Sequence, residues 1–114
     1  MNNINLHFIE NEKVEWEKTG EGIKRKILGY DQHLMMVLVH FEKDAVGSIH
    51  KHPHRQATYI GKGKFKTIIA DNEKILKEGD SFFVSPDIEH GVTCLEEGTL
   101  IDVFSPHRED FIKK

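Results

Sequence analysis

Gly47-Ser48-Ile49-His50-Lys51-His52-Pro53-His54-Arg55-Gln56 is the stretch on which the reading of this chain turns. Side chains alternate faces along an extended strand, so residues two apart point the same way, and His50 and His52 send two imidazoles into one cavity. Neutral imidazole is the commonest nitrogen donor to metals, and two donors preset on one strand lose little freedom on binding. Gln56 can add an amide oxygen from the next bend. His90, in Pro86-Asp87-Ile88-Glu89-His90, stands after a turn from which a neighbouring strand can deliver a further imidazole. His54 has the same parity as His50 and His52, so a His52 and His54 pair is a competing register. Pro53 bends the chain between those two, which favours His50, His52, Gln56 and His90 around one divalent ion with His54 behind them. His7, His33, His40 and His107 are expected to be solvated or to serve in packing.

Outward from this stretch the signals are those of strands. Residues 22–28, 33–41, 58–60, 65–69, 81–84, 92–95 and 99–104 are short, β-branched or aromatic runs. Asp71-Asn72-Glu73 separates two of them as a hairpin turn would, and Gly47, Gly61, Gly63, Gly79, Gly91 and Gly98 punctuate the others. Only residues 108–114 carry a helical expectation. Many short strands with glycine-rich turns make an all-β sandwich or barrel, of which the jelly roll is one closure. Periodicity alone does not choose among these.

A length of 114 residues suits one compact domain. Within it we expect an arm at 1–18, a barrel at 19–106 and a tail at 107–114. In the arm, Val14 and Trp16 sit among charges. They read either as an edge strand packing on something, a second subunit included, or as a solvated arm pinned by Trp16.

With 16 basic and 19 acidic residues spread along the chain and a formal charge of −3, no basic surface exists for a phosphate backbone, so no nucleic acid is expected. No stretch approaches the roughly 20 apolar residues of a membrane span, and the start lacks a signal-peptide pattern. The lone Cys94 cannot form an internal disulfide. The expected compartment is the reducing cytoplasm, and Cys94 itself is expected to be a small buried hydrophobe.

Downstream, Asp102 and Phe104 share one strand face and can line the same interior as the histidines. Arg108, just past Pro106, can close over the mouth and hold a carboxylate through two parallel hydrogen bonds. A plain ion pair between Asp102 and Arg108, with Phe104 in the core, explains the same residues.

The spacing from His50-Lys51-His52 to Gln56 and on to Gly63, followed by Gly79-Asp80-Ser81-Phe82-Phe83-Val84-Ser85-Pro86 and His90, resembles the two ordered motifs of the cupins. That resemblance implies a single-domain double-stranded β-helix, a jelly-roll barrel. Ser85, Asp87 and Cys94 depart from residues common there (Pro, Gly and Asn), which bears on turn geometry rather than ligation. Gln56 replaces the more usual Glu, leaving four neutral ligands and the full positive charge on the ion.

A closer similarity, over nearly the whole chain and above all in Asp102-Val103-Phe104-Ser105-Pro106-His107-Arg108-Glu109-Asp110-Phe111, is to the KdgF-type cupins of pectin and alginate breakdown. It implies a small, usually dimeric barrel that converts 4,5-unsaturated uronates to linear 5-keto-4-deoxyuronates. Asp102 would then shuttle a proton, Phe104 would position the ring, and Arg108, with Phe104 and Gln56, would bind the substrate. Asp44 stands where such proteins commonly carry Gly, a difference confined to a turn. Two other readings remain open on the residues: another metal-dependent cupin enzyme, such as a dioxygenase or sugar isomerase, and a non-catalytic binder of small acids. Neutral nitrogen and oxygen ligands accept nickel, zinc, iron, manganese or copper, so the metal is not set by the sequence.

Overall fold

Alternate residues of one strand bury Met35, Val37, Val39 and Phe41 and leave Met36 on the surface, the pattern of a sheet with one face on a core. The computed structural model describes residues 7–112. The ends of the expected arm (1–6) and tail (113–114) lie outside the described residues.

Eight strands, β1 (Glu17–Gly20), β2 (Ile23–Tyr30), β3 (Met35–Phe41), β4 (Val46–His50), β5 (Arg55–Ile69), β6 (Asn72–Lys77), β7 (Ser81–Val84) and β8 (His90–Ser105), are followed by one helical turn, α1 (Glu109–Ile112). All pair antiparallel. The hydrogen-bonded order is β1-β2-β3-β8-β5-β6, with β4 on β8 and β7 on β5.

Two long strands close the structure. The second half of β8 lies between β3 and the first half of β5, and its first half lies between β4 and the second half of β5. Each strand therefore passes from one sheet to the other, as in the expected jelly roll. Phe41 on β3 meets Phe65 on β5 edge to face, ring centroids 5.3 Å apart, in the core between the two layers.

The four short runs expected at 58–60, 65–69, 92–95 and 99–104 are thus two continuous strands. The glycines read as turns between them mark bulges instead. Register shifts fall between Ile60 and Phe65, where Gly63 has φ +89° and a Cβ on it would meet the Glu96 carbonyl oxygen at 2.6 Å. Glycine allows the two backbones to approach there, and the bulge bends β5 and β8 around the barrel.

Asp44 (φ 74°) and Asp87 (φ 63°) occupy left-handed turn positions. Both stand where glycine is the common residue, and aspartate tolerates that conformation better than most. The turn chemistry is therefore kept in spite of the departures.

The arm differs from the alternating-strand reading. A 3₁₀ turn covers Asn11–Lys13, and strand structure starts only at Glu17, beyond Val14 and Trp16. The reason is local packing. The Lys24 and Lys26 ammonium groups lie over the Trp16 ring, 4.5 and 4.8 Å from its centroid, while the buried Lys26 donates to the Asn11 carbonyl at 2.7 Å. Trp16 thereby pins the arm against β2, with part of its ring still exposed.

Candidate metal centre

His50 ends β4, its Cα directly opposite that of His90 at the start of β8. His52 lies past the end of β4, so hydrogen-bonded strand extends only through the first of the pair, and Gln56 stands on β5 rather than in a bend. The ligand atoms of His50, His52 and His90 nevertheless lie within 4.8 Å of one another. His54 stays outside this group, its ring 5.3 Å from that of His52.

Tautomers follow from the backbone. His50 Nδ1 is 2.8 Å from the Ser48 carbonyl oxygen and His90 Nδ1 is 2.8 Å from that of Ile88. A carbonyl only accepts, so each Nδ1 carries the proton and each Nε2 turns a lone pair inward. Burial holds the His52 pKa down to about 4 and also lowers that of His90. Both are neutral and ready to donate at neutral pH.

Gln56 is oriented by what lies behind it. The Thr58 hydroxyl donates to the Asp102 carboxylate at 2.6 Å and accepts from Gln56 Nε2 at 2.9 Å, leaving Gln56 Oε1 to face the imidazoles. That oxygen is 3.0 Å from His52 Nε2 and 3.2 Å from His90 Nε2. For His90, whose proton is spent on Ile88, two acceptors face each other with no hydrogen between them. A cation satisfies both, so this donor set fits a divalent ion. Thr58 was not singled out from the sequence, although its i+2 spacing from Gln56 carried the signal.

The centre opens into a cavity of about 540 Å³ lined by His50, Gln56, His90, Asp102, Phe104 and Arg108, with Val37, Val39 and Leu100 on its apolar side. Asp102 lies opposite Val37 on β3 and Thr58 on β5. Its carboxyl is enclosed by protein atoms, although the residue keeps some surface toward the cavity. That enclosure raises its pKa to about 6, against the lowering effects of Thr58 and the Arg108 charge.

Arg108 does not pair with Asp102. Its Nε and Nη2 donate to the two carboxylate oxygens of Asp110 at 3.1 and 2.9 Å, while its guanidinium lies 5.0 Å from the Phe104 ring centroid and 4.2 Å from that of Phe111. The ion pair of that alternative is thereby replaced, while its other half holds: Phe104 is buried in the core cluster. Neither Asp110 nor Phe111 had been assigned a role. Cys94 is buried, as expected, and free.

Residues 37–104 match the family model of the cupin domain. Over 108 residues, 93% of this chain and 97% of the relative, the sequence is 48% identical to the pectin degradation protein KdgF of Dickeya dadantii. The chain belongs to the KdgF cupins. Among solved structures, this KdgF-family chain is similar to an RmlC-like cupin from Shewanella frigidimarina, with 45% identity, a TM-score of 0.91, and coverage of 93% of this chain and 96% of that one. It is also similar to KdgF from a Halomonas species, with 36% identity, a TM-score of 0.89, and coverage of 92% and 97%. No helix among the described residues is long and apolar enough to cross a membrane.

Proposed function

We propose that this KdgF-family protein opens the ring of 4,5-unsaturated uronates released from pectin or alginate and ketonises the product to a 5-keto-4-deoxyuronate. The observation that supports this reading is the link from Asp102 through Thr58 to Gln56, with the Asp102 carboxyl in the same cavity as His50 and His90, two of the three histidines that could hold a metal ion.

His50, His52, Gln56 and His90 would hold one divalent ion, which when bound supplies Lewis acidity to an oxygen of the substrate. Arg108 binds the carboxylate on C5, and Phe104 packs against the sugar ring. Asp102 takes the proton of the C1 hydroxyl as the bond from C1 to the ring oxygen breaks, giving an aldehyde at C1 and an enolate at C5. Asp102 then delivers that proton to C4, and the enolate becomes the ketone. The step is an isomerisation that needs no further reactant. A carboxyl with a pKa of about 6 can both accept and return a proton near neutral pH.

The deciding experiment follows the absorbance of the conjugated unsaturated uronate with the metal-loaded protein. We expect loss faster than the spontaneous rate, and metal-stripped protein that matches the buffer blank. Equal rates with and without the loaded protein refute the activity.

The free, buried Cys94 supports a reducing cytoplasmic location. Pairing of two copies finds its support on the outer face of β3, β5, β7 and β8, where Met36, Tyr59 and Phe83 are exposed beside Ile101 and Val103. A sedimentation mass of 13.2 kDa, that of one chain, at micromolar concentration would refute a homodimer.

A further inference from the structure

Arginine has five N–H donors in a planar fork. Asp110 engages one side edge of the Arg108 fork, at Nε and Nη2, and the rings of Phe104 and Phe111 lie against the guanidinium. The outer, Nη1–Nη2 edge of the fork is a second place where a carboxylate can bind through two parallel bonds. The burial is asymmetric: the Arg108 side chain is 11% exposed and that of Asp110 is 59%. The acceptor thus grips the guanidinium from the solvent side while the arginine lines the cavity. The Phe111 ring is itself seated by a second guanidinium, that of Arg25, 3.8 Å from its centroid. Arg25 is in turn held by Glu17 at 2.7 Å.

We propose that Asp110 is a positioning residue for substrate binding: it fixes the guanidinium plane of Arg108 so that the outer edge of the fork meets the uronate carboxylate. This rests on the proposed role of Arg108. An exposed ion pair by itself does little, but here one partner is largely buried, doubly bonded and packed against two adjoining rings, so that its orientation and not merely its charge is set. Without Asp110 the side chain regains rotameric freedom, and each binding event must order it again.

The test compares metal-loaded wild type with Asp110→Asn and Asp110→Glu in turnover of the unsaturated uronate, and in the ¹⁵N-resolved Nε–H signal of Arg108, identified by its loss in Arg108→Lys. We expect Asp110→Asn to raise KM about tenfold with kcat within about threefold, to speed exchange of the Arg108 Nε proton with water, and to leave the melting temperature unchanged. Asp110→Glu should restore much of both effects. Wild-type KM and wild-type Nε–H exchange in Asp110→Asn would overturn the proposal, as would a fall in melting temperature that accounts for the change. If the wild type itself shows no turnover, the proposed reaction fails, while the Nε–H signal and the titrated affinity for galacturonate still decide whether Asp110 positions Arg108.

Discussion

Thr58 donates a 2.6 Å hydrogen bond to Asp102 across adjacent strands, and through the same oxygen it sets the direction of the Gln56 amide. One hydroxyl thereby links the proposed proton carrier to the proposed metal ligand. Thr58→Val keeps the shape and removes the link. Because the Thr58 bond lowers the Asp102 pKa, its loss should raise that pKa and move the acid limb of the rate profile to higher pH. Gln56 also loses its orienting partner, so metal affinity should fall about 10- to 100-fold. A pH–rate profile beside a metal titration checks both.

Asp102→Asn should separate activity from stability. Turnover should fall about 100- to 10,000-fold. The carboxyl titrates near 3.8 unfolded and near 6 folded, so between these values the native state binds more protons, and stability is lost as pH rises through about 6. Asparagine never ionises. The metal-free variant should therefore be more stable than metal-free wild type above about pH 6, by roughly 1–3 kcal/mol, and the gain should vanish below about pH 4. Paired melting curves across that range test the sign.

Replacing His50 and His52 together with Ala should abolish metal retention, measured by elemental analysis of the purified protein. In the wild type, His52 should resist acid as a ligand. Protons compete for His52 only as the pH approaches its value of about 4, well below the ordinary histidine range. The sign for the metal-free fold is the same: the unfolded chain protonates this histidine first, so stability drops as pH falls from about 6.5 toward 4.

Gly98→Ala should damage the fold without touching the site. A Cβ there would run into the Lys62 carbonyl and crowd Gly63, forcing β5 and β8 apart at their crossing. A loss of more than about 2 kcal/mol in urea unfolding is expected.

What the sequence determined by itself was local in origin. The two-residue spacing paired His50 with His52, although the strand ends at His50, strand alternation put Asp102 with Phe104, and motif spacing brought in Gln56 and His90 and named the barrel. Side-chain parity and turn chemistry are properties of a few neighbouring residues, so they can be read along the chain. Only the tertiary structure decided that Thr58 bridges Gln56 to Asp102, that Arg108 pairs with Asp110 and packs on Phe111, and that the glycines near residue 63 are bulges inside continuous strands. Register between strands more than forty residues apart, and the direction in which a long arginine folds back, depend on how the whole core closes, and no local pattern records that.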